Sequence, residues 1–75
     1  MVDAQAVAQR ARSKRRERGL KREELAVLAK VSVSTVDNLE QGRALPRIET
    51  LDRIAHVLGV SILKLLADPK RPLAA

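Results

Sequence analysis

The sequence contains no cysteine, phenylalanine, tryptophan or tyrosine, and its only histidine is His56. Without cysteine, disulfides and thiolate metal sites are excluded. One histidine cannot build a metal site or a catalytic triad alone, and no candidate nucleophile has a base beside it, so we expect no enzymatic activity and no cofactor. His56 is interpreted as an ordinary surface or boundary residue. Without aromatic rings the chain is also poorly suited to stacking unpaired bases.

Long apolar segments are lacking as well. No run approaches the roughly 20 apolar residues that span a bilayer. The N-terminus has neither the basic start nor the long apolar centre of a signal peptide. We therefore expect a cytoplasmic protein with no membrane partner, and its 75 residues suffice for one modest core.

Basic residues are abundant and concentrated. Fifteen Lys and Arg against nine Asp and Glu give a net charge of +6, and eight of the basic residues fall between Arg10 and Arg22. This excess indicates a polyanion, either nucleic acid or an acidic membrane surface, and the alternative is a solvated basic face with no partner. Taken singly, Arg10, Arg12, Arg16 and Arg18 are interpreted as solvated charges. Because aromatic residues are absent, duplex DNA is the favoured partner.

The pattern of apolar residues predicts an all-α fold, a compact bundle of five short helices. Each of the three glycines follows a predicted helix, and no segment shows strand alternation. Residues 1–67 form the predicted domain, and residues 68–75, with Pro69 and Pro72, are expected to be a flexible tail. The first three predicted helices cover residues 3–18, Lys21–Ala29 and Ser32–Gln41, and the fifth runs from Ser61 to about Ala67. The fourth is predicted from an apolar stripe that consists of Ile48, Leu51, Ile54, Ala55 and Leu58.

The third predicted helix has two distinct faces. Ser32 is a natural N-cap, and Val36 and Leu39 form the buried edge. Glu40 lies close to that edge, so it requires a cationic partner. The opposite, polar side carries Ser34, Asp37, Asn38 and Gln41. On the second helix, Val27 and Leu28 are either additional core or a partner surface.

Several short motifs follow one another at specific spacings. They are Leu20, EELA at 23–26, VS at 31–32, ST at 34–35 followed by Val36, EQG at 40–42, Pro46, and ETLDRIAHVLGVS at 49–61. This ordered set resembles the Cro/repressor-type, or XRE, helix-turn-helix family. The resemblance covers roughly residues 7–66 and implies a lambda-repressor-like DNA-binding domain.

The resemblance also implies residue roles, because the third helix of that family lies in the major groove and the second crosses the phosphate backbone. Base edges are assigned to Val33, Ser34 and Asn38, with Asp37 close by. The family counterpart of Arg15 pairs with the glutamate at position 40, which implies a structural Arg15–Glu40 ion pair. The expected phosphate contacts are Lys21, Arg22, Lys30, Gln41 and Arg43.

The chemistry of these side chains indicates what each would read. The carbonyl and amide of Asn38 together match the N6 and N7 edge of adenine, and Val33 can touch a thymine methyl. Ser34 can donate a hydrogen bond to a base or a phosphate. Asp37 would be favourable mainly near a cytosine amino group. The alternatives are an ordinary exposed asparagine at position 38 and a partly buried helix-start residue at position 33.

The chain departs from the family pattern at three positions. Lys21 and Arg22 replace the usual Ser-Gln, which removes a hydroxyl cap and adds two charges. Lys30 stands where the turn commonly has glycine, and a left-handed lysine costs about 1–2 kcal/mol. Arg47 replaces a capping residue before the fourth helix.

We therefore expect a sequence-specific, double-stranded-DNA-binding transcriptional regulator, a repressor that binds an inverted-repeat operator as a homodimer. A DNA-binding antitoxin or a restriction-modification controller is the alternative within DNA binding, and a toxin or other protein partner fits the former. The alternative of another class is a protein-interaction module, whose docking patch would be Val27, Leu28, Leu63 and Leu66.

Overall fold

The computed structural model describes residues 2–67, and the predicted tail at 68–75 lies outside them. Within the described residues the chain forms five helices and no strand, as the sequence predicts. No helix in this part of the chain is long and apolar enough to cross a membrane. The helices are α1 (Ala4–Glu17), α2 (Arg22–Ala29), α3 (Val33–Glu40), α4 (Ile48–Leu58) and α5 (Ile62–Leu65).

Side-chain caps define where most of the helices begin. Ser32 Oγ accepts a hydrogen bond from the Thr35 amide at 3.1 Å, and Ser61 Oγ accepts one from the Lys64 amide at 3.1 Å. Both hydroxyls accept from an amide in the first turn of a helix, where the usual carbonyl partner four residues earlier is missing. The predicted caps at Ser32 and Ser61 are therefore confirmed, and Asp3 caps α1 in the same way.

The start of α2 uses a different device. Lys21 cannot accept a hydrogen bond from the helix, but its own amide donates to Glu24 Oε1 at 2.8 Å. This contact is one half of a capping box, in which the third helical residue reaches back to the N-cap. The loss of a hydroxyl cap at Lys21 is thus partly compensated by Glu24.

The core lies where the five helices meet. α1 packs mainly against α3, while α2 packs against both α3 and α4. The predicted inward residues of α2, α3 and α4 are buried, with the exception of one at the start of α4. The buried cluster consists of Val7, Ala11, Leu25, Ala26, Ala29, Val36, Leu39, Leu51, Ile54, Ala55, Leu58 and Leu65.

The structure corrects the predictions for Ile48 and for the end of α5, and it decides between the two interpretations of Val27 and Leu28. Ile48 is 56% exposed, because it opens α4 at a point where no other helix covers it, although it fits the helical stripe. Val27 and Leu28 are 76% and 57% exposed, so they are not additional core. α5 ends at Leu65 rather than near Ala67, and Leu63 on its outer side is exposed.

A buried ion pair joins α1 to α3. Arg15 Nε lies 2.7 Å from Glu40 Oε2, and Arg15 Nη2 lies 2.9 Å from Glu40 Oε1, which is a bidentate arrangement. The Glu40 side chain is 2% exposed and that of Arg15 is 12% exposed. Arg15 Nη1 also donates to the Leu20 carbonyl at 2.9 Å. The guanidinium therefore ties α3 to both α1 and the segment before α2.

The ion pair with Glu40 raises the pKa of Arg15 and so favours its charged form. The hydrogen bond with Glu40 is the largest cause that raises the pKa of Arg15, and burial opposes it. A raised folded-state pKa contributes stability that is fully present below the unfolded pKa and is lost only as pH rises through the folded value. Because arginine is already charged at neutral pH, this contribution is constant across ordinary conditions.

Other arginines of the described chain also bind backbone carbonyls. Arg10 Nη1 donates to the Leu65 carbonyl at 3.1 Å, and Arg12 Nη1 donates to the Glu40 carbonyl. Arg53 Nε donates to the Ala29 carbonyl at 3.1 Å. The interpretation of Arg10 and Arg12 as solvated charges is therefore wrong, because their long side chains reach carbonyls at the ends of neighbouring helices.

The turn between α2 and α3 passes through a left-handed lysine. Lys30 has φ 59° and ψ 46°, and among residues 2–67 it is the non-glycine residue with positive φ. Its amide donates to the Val27 carbonyl, and the Val31 amide donates to the Ala26 carbonyl. This is the hydrogen-bonding pattern that ends a helix at a left-handed residue. The turn thus keeps the family geometry and does not adjust to lysine.

We predict that Glu40→Leu lowers the free energy of unfolding by about 3–5 kcal/mol, because it leaves the buried guanidinium of Arg15 without its partner. The double variant Arg15→Met/Glu40→Leu should recover at least half of the loss, since no buried charge remains. Urea unfolding followed by circular dichroism measures both. The matched control is Glu17→Leu at the exposed Lys14–Glu17 pair, which should change stability by less than about 1 kcal/mol. A double variant no more stable than the single one would contradict this account.

A second prediction concerns the turn. Lys30→Gly should raise the free energy of unfolding by about 1 kcal/mol, because relief of left-handed strain exceeds the added freedom of the unfolded chain. Lys14→Gly, which places the same substitution inside α1, should instead lower it by about 1 kcal/mol. Thermal and urea unfolding of both variants tests this. Equal losses at the two positions would show that Lys30 carries no strain.

Candidate nucleic-acid interface

The α2-turn-α3 segment presents one side of α3 to solvent. Val36, Leu39 and Glu40 face the core, so α3 is fixed along one edge. On the other side Ser34 and Gln41 are exposed, and Val33 is 38% exposed. Val33 at the helix start is therefore more accessible than a core residue and can contact a ligand.

An ion pair links this face to the start of α2. Arg22 Nη1 lies 3.3 Å from Asp37 Oδ1, and the two side chains are 47% and 32% exposed. The contact is close enough for an ionic attraction, but Oδ1 has no hydrogen-bond partner in the described structure and is shielded from solvent. Arg22, an expected phosphate ligand, is thus held by a carboxylate on the neighbouring helix.

The second polar contact lies at the other end of α3. Arg43 Nε donates to Asn38 Oδ1 at 3.1 Å. Asn38 is half-buried and Arg43 is exposed. The expected base-reading amide and the expected phosphate ligand are therefore in contact with each other.

The other expected phosphate ligands are accessible. Lys21, Lys30 and Gln41 are exposed, at the N-cap of α2, in the turn and at the C-cap of α3 respectively. Arg16 on α1 is exposed too, and it shares a cleft with Lys21 and Arg22. Positive charge thus surrounds the exposed face of α3, an arrangement suited to the phosphates that flank a groove.

The histidine and the acidic residues of positions 2–67 are possible metal ligands. His56 is exposed on α4, as expected. No group of three or more His, Cys, Asp or Glu residues within positions 2–67 is arranged to hold a metal ion.

A family model described as helix-turn-helix matches residues 12–65. This chain belongs to the XRE-type helix-turn-helix family. The regulator DdrOP3 of Deinococcus deserti, an HTH-type transcriptional regulator, is 38% identical over 60 residues, which is 80% of this chain and 46% of that protein. The chain therefore spans less than half the length of this relative.

Solved helix-turn-helix structures have the same fold. The N-terminal DNA-binding domain of SinR from Bacillus subtilis is 31% identical with a TM-score of 0.81, over 89% of this chain and 99% of that one. SinR in complex with DNA is 34% identical with a TM-score of 0.77, over 81% and 98%. The restriction-modification controller C.AhdI from Aeromonas hydrophila is 28% identical with a TM-score of 0.79, over 84% and 96%.

Within this helix-turn-helix domain, α2 and α3 are the two helices of the motif. Three contacts are not predicted by the sequence pattern: Arg22–Asp37, Arg43–Asn38 and Arg53–Ala29. A helical wheel cannot find them, because each joins residues of different segments. Gly42 was the one available signal for Arg43, since a glycine after a helix folds the next residue back over the last turn.

We predict that Asp37→Asn strengthens binding to duplex DNA at low salt. The substitution removes a negative charge from the exposed side of α3 and releases Arg22, so the log–log dependence of affinity on salt should steepen by up to about 0.9. Titration of a random-sequence duplex at several salt concentrations measures this slope. Asp52→Asn, at an exposed position on α4, has the same change in net charge and serves as the control. If both variants shift affinity equally, Asp37 does not restrain Arg22.

Proposed function

We propose that this chain is a sequence-specific, double-stranded-DNA-binding transcriptional regulator that acts as a repressor and binds an inverted-repeat operator as a homodimer. The observation that carries the proposal is the exposed polar side of α3, surrounded by basic residues within a helix-turn-helix domain. In this arrangement α3 enters the major groove, with Val33, Ser34, Asp37 and Asn38 at base edges. The protein acts by occupying its site and uses neither catalysis nor a cofactor.

Phosphate contacts supply most of the affinity. Lys21, Arg22, Lys30 and Arg43 bring positive charge, and Gln41 adds an amide donor at the end of α3. Each phosphate that a basic residue neutralises releases counterions, which favours binding. Attraction between charges also tolerates small errors of position that hydrogen bonds to base edges do not tolerate. These residues therefore set the orientation of α3 in the groove.

A second copy of the chain completes the proposed complex. One α3 of eight residues contacts only a few base pairs, so a symmetric pair of recognition helices doubles the length that is read. A dimer bound to two half-sites represses transcription by occluding a promoter.

Two observations favour alternative functions. The likeness to the restriction-modification controller protein C.AhdI supports a controller of this kind. The exposed apolar residues Val27, Leu28 and Leu63 support a protein-interaction module. Leu66 does not contribute to such a patch, because it is partly buried and packs against the core.

Selection from a random duplex pool tests the proposal. The chain should enrich an inverted repeat whose half-site centres lie about 34–36 Å apart, or a multiple of that distance. Affinity for the enriched site should fall steeply with salt, and Arg22→Gln should reduce the log–log slope by less than about 0.9, because Asp37 already neutralises part of the Arg22 charge. Lys64→Gln on α5, with the same change in charge, should leave the slope nearly unchanged. An affinity independent of salt would contradict the phosphate contacts, and no enrichment at all would favour the interaction module.

A further inference from the structure

An acidic and apolar patch lies on the outer face of α2. Val27 and Leu28 are exposed large apolar residues. Glu23 and Glu24, also exposed, precede them by one helical turn, so the four side chains share one face of the helix. Among residues 2–67 neither glutamate forms an ion pair with a basic side chain. These four residues, named the α2 patch, therefore present apolar surface beside two negative charges.

A groove between α1 and α5 has the opposite charge. Its lining has an apolar part and a basic part and contains no acidic residue. The apolar part is Ala6, Val60, Leu65 and Ala67, and the basic part is Arg10, Lys14 and Lys64. Arg10 also binds the Leu65 carbonyl and Lys14 lies 3.5 Å from Glu17, whereas Lys64 has no acidic partner in the described part of the chain. This α1–α5 groove therefore suits a ligand that is apolar and negatively charged.

The α2 patch has these properties, but contact between the two surfaces requires two copies of the chain. α2 packs against α3 and α4, while the groove is lined by α1, α5 and the segment that joins α4 to α5. A symmetric contact of patch with patch would bring the glutamates of both copies together, and one of groove with groove would do the same for the basic residues. Because like charges brought together oppose association, the charges favour patch against groove.

We propose that the α1–α5 groove binds the α2 patch of a second copy of this chain. In this contact Val27 and Leu28 leave water and pack against the apolar lining of the groove, which is favourable in proportion to the apolar area buried. Glu23 and Glu24 face the basic lining. The apolar side chains supply most of the affinity, and the charges determine which two surfaces pair.

The contact is heterologous, since each copy contributes a different surface. One free groove and one free patch remain after two copies have joined, so further copies can be added. The contact is therefore distinct from the symmetric pair proposed for an inverted repeat. None of the residues proposed to contact DNA belongs to either surface, so association leaves them accessible.

Sedimentation equilibrium without DNA at low salt tests the contact. The weight-average mass of the wild-type chain should rise steadily with protein concentration. The patch variant, Val27→Ser/Leu28→Ser, should have an association constant at least about tenfold lower, because it removes the apolar surface that is buried. Ile48→Ser removes an exposed apolar residue of α4 outside both surfaces and should associate as the wild type does.

A groove variant alters the other surface. Ser13 is exposed on α1 and lines the groove, so Ser13→Glu places a negative charge where Glu23 and Glu24 of the second copy approach. It should also lower the association constant at least about tenfold. Gln5→Glu adds the same charge to α1 outside the groove and should leave association unchanged. Thermal unfolding of each variant verifies that the fold is kept.

Mixing the two defective variants distinguishes a heterologous contact from a symmetric one. The patch variant keeps an intact groove and the groove variant keeps an intact patch, so an equimolar mixture should associate although neither variant does alone. A mixture that associates no better than its components would overturn the inference. So would a wild-type mass that does not change with concentration, or control variants that lose as much association as the other two. Because DNA is absent from this experiment, none of these results bears on the proposed function.

Discussion

The contact between Arg15 and Glu40 is the interaction on which the arrangement of the helices depends. The apolar stripe of α1 consists of small residues, Val7, Ala8 and Ala11, which bury little surface and define no particular angle between helices. A bidentate guanidinium–carboxylate pair, in contrast, has a fixed plane and direction. Removing both charges from water is costly, so the pair contributes geometry more than net stability.

The exposed side of α3 is a network of internal contacts before any ligand arrives. Asp37 holds Arg22, and Asn38 holds Arg43. A polyanion must therefore compete for one of these arginines with a carboxylate, and it meets the other already oriented. Asp37 thus partly neutralises the charge of Arg22, and the hydrogen bond from Arg43 orients the side-chain amide of Asn38. Neither property follows from net charge alone.

The parts of the fold that the sequence predicts are those that depend on local chemistry. Hydroxyl caps at Ser32 and Ser61 and the need of Glu40 for a cation are visible in short stretches of sequence. The left-handed conformation of Lys30, in contrast, is expected from the family resemblance, because a glycine is common at this position. The errors arise where a side chain reaches beyond its own helix. Arg10 and Arg12 bind distant carbonyls because of their length, and Ile48 fits its helical stripe but lies where no neighbour covers it. Contacts of this kind depend on how helices are placed, which periodicity does not encode.

Both ends of α3 are anchored, and this limits how the domain can adapt. At its N-terminus the helix is held by the Ser32 cap and the left-handed turn, and at its C-terminus Arg12 and Arg15 hold Glu40. These contacts resist movement of α3 relative to the rest of the domain. A mismatch in shape with a duplex would then be accommodated in part by bending or twisting of the duplex. Since the cost of bending depends on sequence, base pairs that no side chain touches would also influence where such a domain binds.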